Sequence, residues 1–454
     1  MNEEHAIIEN YGGKTVIASW EPSPLDEERR MIVFQGKDSF LLRYCNRYVT
    51  IEVPHPQGGT RWQPFPLGAW WLNHRDRRQY RGIVFRPGKL RDVGECLNIW
   101  QGWGVVRKLG DWGLIRSHIE EVIADGNAEY ADYIIKWIAW SIQNPDKQAE
   151  VALVLIGAKG TGKGTLARCL QKIFGAHAFQ VSSRDEVVGR FNGHLQDCIL
   201  FIADEAYWGG DKRCVGRLQA MITETTLAIE KKGFEIITVP NYLHIIMLAE
   251  PGWVIPAGMF ERRYAAFEVG TKRRGDRAYF KALHQQMFDE GGAEAMMWDL
   301  KEMDLDGWHP REMSDRLLES SALRKQQTKT LPPLEQWYLT LLHEGRIPGA
   351  LINPDPIKWP KKMSRPSTTY TKRLKDNATE RFPRLKWELS DNQLAEFLLD
   401  SEWPKAGRFR DSKNNGYTFE PLKESRQEFD KRYGPQGWNE MEEWDPHSKS
   451  FLDD

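Results

Sequence analysis

Four short apolar runs, at residues 151–156, 199–203, 244–248 and 264–269, are separated by longer polar stretches of helical character. Runs of this length read as buried strands, and strands alternating with helical segments argue for a parallel sheet. Between the second and third runs, residues 227–230, Lys231-Lys232-Gly233 and residues 234–239 predict a β-hairpin with a basic tip. Upstream, residues 117–143 predict a helical segment or two. Ser117 and Glu120 form a capping box there, and Ile134, Ile135, Ile138, Ala139 and Ile142 share one apolar face. That face is core or, alternatively, a subunit interface.

The ends of the chain are patterned differently. Up to about residue 110, strand-like runs at 15–19, 31–34 and 48–53 lie among many prolines, glycines and tryptophans, which predicts a small, mostly irregular α+β domain. Trp70, Trp71, Arg75, Arg77, Arg78, Tyr80 and Arg81 mix aromatic and basic side chains. The mixture suits a grip on single strands, although tryptophans are more often core or interface residues. Residues 279–323 read as helical, and 325–333 as a polar linker closed by two prolines. In the C-terminal unit that follows, Lys358, Lys361, Lys362, Arg365, Lys372, Arg373 and Lys375 lie among Trp359 and Tyr370, ahead of a helix at 391–399 and a strand at 417–419. That order suits a winged-helix-like module touching duplex DNA, or a solvated basic face.

Composition narrows the function. A chain of 454 residues with 41% hydrophobic residues is long enough for two to four domains with real cores. Its net charge of −1 and pI near 6.9 give no global basic field, so any contact with nucleic acid is local. Cysteines 45, 96, 169, 198 and 214 form no paired short spacing, which excludes an ordinary zinc motif and suits a reducing compartment. The opening residues 1–5 are polar and acidic, and no apolar run approaches membrane-spanning length. The expectation is a soluble, cytoplasmic protein with no signal peptide.

Directly after the first apolar run stands Gly157-Ala158-Lys159-Gly160-Thr161-Gly162-Lys163-Gly164-Thr165, leading into helix-forming residues. Glycines let the backbone turn its N–H groups inward around a phosphate, the helix presents its positive end, and Lys163 adds a point charge. Gly164 stands where a magnesium-binding Ser or Thr is usual, with Thr165 one step later. Nucleoside monophosphate kinases share the Gly-Lys-Gly-Thr ending, so the loop alone leaves a small phosphotransferase open. The second apolar run ends in Asp204-Glu205, a Walker B pattern. In it Asp204 holds magnesium and Glu205 activates the attacking water, which favours ATP hydrolysis.

The order of that loop, Asp204-Glu205, Thr223-Glu224 with Ile229-Glu230-Lys231-Lys232-Gly233, and Glu261-Arg262-Arg263 resembles the superfamily 3 helicases. In particular it resembles the helicase domain of phage and plasmid primase-helicases, over roughly residues 110–275, with Phe191-Asn192-Gly193-His194-Leu195 and Trp253-Val254-Ile255-Pro256 as further matching phrases. The resemblance implies an AAA+ ATPase that uses ATP and Mg2+, with Lys163 on the phosphates and Asp204 and Glu205 on magnesium and water. It also implies Lys231 and Lys232 on single-stranded DNA, and Arg262 or Arg263 as an arginine finger reaching a neighbouring subunit. Glu250 departs from the family, whose sensor position is usually asparagine; a carboxylate cannot donate the amide hydrogen bond.

The expected fold is therefore α/β, a central phosphate-loop AAA+ domain with a parallel sheet between a small N-terminal α+β domain and a C-terminal helical, winged-helix-like domain. Its boundaries are 1–110, a helical collar or oligomerisation segment at 111–150, the ATPase at 151–275, a helical segment and linker at 276–330, and the last domain at 331–454. The expected protein is a ring-forming, hexameric replicative DNA helicase of a phage, prophage or mobile element. It acts on single-stranded and forked DNA, moves 3′ to 5′ as the family does, and works beside a primase or polymerase. The alternatives are a DNA-binding assembly or loading factor with weak hydrolysis, and a nucleotide kinase.

Overall fold

The computed structural model describes residues 1–23, 26–56, 58–205, 212–252, 255–257, 261–348, 367–410, 414–439 and 444. Two compact units emerge: residues 1–255 with 262–323, and residues 256–261 with 324–454.

The first unit opens with strands β1 (His5–Tyr11), β2 (Lys14–Ser23) and β3 (Asp26–Gln35), an antiparallel meander. A two-stranded arm follows, β4 (Tyr48–Pro54) against β5 (Thr60–Pro66). Strand β6 (Gln79–Tyr80) then joins β1 in parallel. A small sheet of β7 (Gly82–Val84), β8 (Asp92–Val93) and β9 (Cys96–Asn98) completes this region. The mixed basic and aromatic cluster is divided by burial: Trp71 and Tyr80 are core residues, and the Trp70 ring packs at a tilt against His74. The sequence pattern did not single out β1, whose apolar Ile7-Ile8 pair is hidden in a polar context.

The five-stranded sheet consists of β10 (Ala152–Ile156), β11 (Ala178–Val181), β12 (Leu200–Asp204), β15 (His244–Ala249) and β16 (Tyr264–Glu268). Between β12 and β15, the antiparallel pair β13 (Thr226–Ile229) and β14 (Ile237–Pro240) forms the hairpin that the sequence predicted. The sheet order is β11-β12-β15-β10-β16, every pair parallel. Strands β10 and β15 are buried at every position, as expected where helices cover both faces. Edge strand β11 was not anticipated, because four residues with an exposed middle carry too little periodicity.

Helix Lys163–Phe174 buries Leu166, Ala167, Cys169, Leu170, Ile173 and Phe174. Helix Ala128–Gln143 buries Ile134, Ile138, Ala139 and Ile142 in the same core, with Ile135 only partly covered. This apolar face is used inside the subunit. Its N-cap is Asn127, whose side chain accepts from the backbone of Glu129 and Tyr130. The Ser117–Glu120 capping box is corrected: Ser117 lies within helix Gly113–His118, which runs into a π-helical turn, Ile119–Ile123, so no helix starts there. The linker expected from residue 325 is also corrected. Helix Ser321–Thr330 occupies it, and the two prolines instead precede and open helix Pro333–Glu344.

The second unit has its own core, with Trp337, Tyr338, Leu374, Leu394, Phe419 and Phe429 fully buried. After helix Pro333–Glu344 come β17 (Ser367–Tyr370), helices Thr371–Arg381 and Asp391–Leu398, then β18 (Ala406–Arg410), β19 (Asn415–Phe419) and helix Leu422–Tyr433. The sheet order is β17-β19-β18, antiparallel. Lys358, Trp359, Lys361, Lys362 and Arg365 lie outside the described residues, as do Trp253 and Val254. Lys372 and Arg373 are exposed, and Lys375 pairs with Asp391 at 2.8 Å. No helix among the described residues is long and apolar enough to cross a membrane.

Candidate functional site

The chain leaves β10 at Ile156 and turns through 157–162 before helix Lys163–Phe174. Gly160 and Gly162 adopt φ of +76° and +103°, a region other residues enter only with strain. Gly162 is doubly constrained, since a Cβ there would lie 2.4 Å from His118 Cε1. The helix has no side-chain cap; the Thr165 N–H donates to Gly162 O at 3.0 Å, and its start carries the positive end of the helix dipole to the loop. Lys163 folds back and donates to the carbonyls of Gly157 and Ala158, the latter at 3.0 Å. Thr161 Oγ1 donates to Ala158 O at 2.9 Å. Thr165 is buried in the first helical turn, and open space surrounds Gly164.

Because the sheet is parallel, β12 and β15 end at the same edge as β10. The Gly157 N–H donates to Ala249 O at the end of β15, and the Glu205 N–H donates to Leu248 O. These bonds draw Asp204, Glu205 and Glu250 toward the loop. Glu205 itself adopts φ of +55°, a conformation rare for a residue with a Cβ. Asp204 Oδ2 accepts from Gln180 Nε2 at 2.8 Å. Burial, then the Glu205 charge, raises the Asp204 pKa, while Gln180 and Lys163 oppose the rise. Burial lowers the Lys163 pKa, against the charges of Glu250, Asp204 and Glu205. Lys159, at the exposed tip of the loop, sits 3.3 Å from Glu250 and 4.0 Å from Glu205.

The structure therefore gathers Gly157, Gly160, Thr161, Gly162, Lys163, Gly164, Thr165, Asp204, Glu205 and Glu250 at one edge of the sheet. It does not gather Arg262 and Arg263 with them. Both precede β16; Arg262 is exposed, and the Arg263 carbonyl accepts from Ala152 N–H at the start of β10. At about 3.3 Å per strand residue, the length of β10 keeps them well over 10 Å from the loop of their own chain.

Lys231 and Lys232 lie in the turn of the β13–β14 hairpin and differ from one another. Lys232 is exposed. Lys231 donates to Tyr11 Oη, with its ammonium 5.0 Å from the Tyr11 ring centre and 5.9 Å from that of Phe34. Burial lowers its pKa, and the neighbouring Asp197 carboxyl is raised by burial to about 6. Of this pair, Lys232 is the exposed member, while Lys231 is half-buried against Tyr11.

Sequence reasoning missed three residues. His118, fully buried, contacts Gly162 O through Nε2 at 3.1 Å and Tyr279 Oη through Nδ1 at 2.9 Å, fixing the loop from behind. Burial lowers its pKa to about 4, so the ring is neutral at pH 7. Gln180, on the unanticipated β11, orients Asp204. Lys159 was visible as a second cation in the loop, but nothing in the pattern named its partners.

The model of a family of unknown function, DUF5906, matches residues 155–263, from within β10 to the residue before β16. A DNA primase-polymerase of Nitratiruptor phage NrS-1 is 22% identical over 237 residues, an alignment covering 50% of this chain and 33% of that protein. The match thus spans about a third of the relative's length. The apo C-terminal region of NrS-1 superposes with a TM-score of 0.59 at 14% identity, over 91% of this chain and 95% of that one. Its A-form apo structure gives 0.54 at 14% identity, over 82% and 94%. The chain is homologous to part of a phage DNA primase-polymerase, and the structural likeness is one of fold.

Proposed function

We propose that this chain is the ATP-hydrolysing motor of a phage or mobile-element DNA replication system, a ring-forming AAA+ helicase acting beside a primase or polymerase activity. One observation carries the reading: Lys163, Asp204 and Glu205 converge on the glycine loop and uncapped helix start at a single sheet edge. The strand order β11-β12-β15-β10-β16 also supports it, since two strands stand between the loop strand and β11 and leave room for an acid pair beside the loop. The likeness to a phage DNA primase-polymerase supports a place beside such an activity.

In this reading the loop amides and Lys163 hold the phosphates of ATP, and Glu205 orients water and takes its proton. Among the described residues, no three His, Cys, Asp or Glu side chains form a metal cluster. The half-buried carboxylate of Asp204 and the Thr165 hydroxyl are instead a sparse set of hard oxygen donors, which fits magnesium shared with phosphate oxygens. When bound there, the ion supplies neutralisation of phosphate charge. Arg262 or Arg263, far from its own loop, serves the site of the next subunit. Lys232 contacts single-stranded DNA. The helix-strand-helix-helix-strand-strand order of the second unit is read as winged-helix-like, with Lys372 and Arg373 on its exposed surface; the divisions at residues 110, 150 and 275 are kept as proposals within the first unit, while the expected linker is replaced by helix Ser321–Thr330.

Single-stranded DNA should stimulate ATP hydrolysis by the chain, and Lys163→Ala should abolish it; DNA-independent turnover that survives this change would refute the motor. The position of Glu250 favours a second reading, a DNA-loading factor that binds ATP without rapid turnover. Tight ATP binding with no stimulated hydrolysis would select it.

A further inference from the structure

At the end of β15 the chain carries Glu250, where the resembled helicases place a side chain that donates a hydrogen bond. Next to the terminal phosphate of a nucleotide, a bare carboxylate would both fail to donate and repel. The structure places Lys159 against it, 3.3 Å away, with Glu205 at 4.0 Å from the same ammonium. An ammonium has three N–H donors, and one bond to Glu250 leaves two for other acceptors. Lys159 is largely exposed on the loop tip, between the loop and the two acids it approaches, so those donors are open to a ligand.

We infer that Lys159 and Glu250 act as one unit: Glu250 positions the ammonium, and Lys159 donates to the terminal phosphate at the moment its bond to the nucleotide breaks. The inference rests on the hydrolysis reading above. Glu250 is a positioning residue here and Lys159 a catalytic one. The hydrogen bond from Glu250, then the Glu205 and Glu250 charges, raises the Lys159 pKa, keeping the donor charged. The arrangement also removes the objection that a glutamate in this place blunts hydrolysis, because the pair as a whole is neutral and can donate.

The test is DNA-stimulated ATP hydrolysis by the full chain, with kcat and KM measured separately. Lys159→Ala should lower kcat by roughly 10²–10³-fold, the cost of one lost transition-state donor, with KM within a few-fold of wild type. Glu250→Ala should lower kcat less, since the ammonium persists without its guide. The decisive variant combines Lys159→Ala with Glu250→Asn. Its amide donates directly, and it should recover at least about tenfold over Lys159→Ala alone. If Lys159→Ala does not fold, Lys159→Met, of similar length and without a donor, takes its place. Unchanged kcat in Lys159→Ala, or a double variant no faster than the single one, overturns the inference. Wild-type protein without turnover, or turnover that Lys163→Ala leaves intact, removes the hydrolysis reading as well. Turnover lost in Lys163→Ala but untouched in Lys159→Ala removes this inference alone.

Discussion

The two edges of the five-stranded sheet hold charge in opposite ways. Where β10, β12 and β15 end, Lys163, Asp204, Glu205 and Glu250 face one concavity, where burial lowers the Lys163 pKa against the neighbouring acids and, with the Glu205 charge, raises that of Asp204. Where β12 and β16 begin, charge is dispersed: Arg262 points outward, and Lys231 is folded onto Tyr11 near the raised carboxyl of Asp197. A parallel sheet produces this asymmetry by itself, since every strand delivers its last residue to one side and its first to the other. If Arg262 or Arg263 takes part in chemistry at the acid pair, the pair it serves therefore belongs to another copy.

The sharpest break of that comparison is Lys163→Ala, which should take ATP turnover below detection in a steady-state assay while leaving the melting temperature near that of wild type. Next, Arg262→Ala or Arg263→Ala should lower kcat by about 10³-fold or more if one is a finger. Mixing such subunits with Glu205→Gln subunits should restore part of the activity, because some interfaces then combine an intact acid with an intact arginine; no recovery at any ratio would place both groups in one chain. Gly162→Ala forces a side chain into φ of +103° against His118, and should cost about 1–3 kcal/mol in denaturant unfolding along with nucleotide affinity.

Smaller effects belong to the opposite edge. Lys232→Ala should lower the salt dependence of single-stranded DNA binding by about 0.7 in log-log slope, the loss of one phosphate contact. Lys231→Ala should leave that slope alone and instead destabilise the fold by about 1–2 kcal/mol. Equal slopes in both variants would make the two lysines equivalent. Asp197, raised from 3.8 to about 6, holds its proton more tightly when folded than unfolded. The stability this gives is fully present below about pH 4 and is lost as pH rises through 6. Asp197→Asn should therefore melt higher than wild type at pH 7, by about 1–2 kcal/mol, with the gap closing near pH 4.

Legibility in the sequence followed contiguity. The loop and Asp204-Glu205 could be read because strand, turn and chemistry are neighbours along the chain, and four of the five parallel strands announced themselves as apolar runs. Residues whose role depends on distant partners could not be read. His118 meets Gly162 across 44 positions, and Lys231 meets Tyr11 across 220. Neither pair leaves a local pattern. The capping box at Ser117 failed for a related reason: its residue types were right, but the apolar residues Ile119, Val122 and Ile123 kept the helix running through it into the core.

The Tyr11 hydroxyl donates to Gln196 at 2.6 Å and receives a hydrogen bond from Lys231, while Gly12, beside it, lies so near Phe234 that a Cβ there would come within 2.9 Å of that side chain. The β1–β2 turn and the β13–β14 turn are thereby bolted together by the Tyr11 phenol, by the Glu235 N–H donating to Gly12 O at 3.1 Å and by the Phe234 ring. A hairpin clamped to the meander in this way has no freedom to bend by itself, so displacing either turn means displacing both or breaking these contacts.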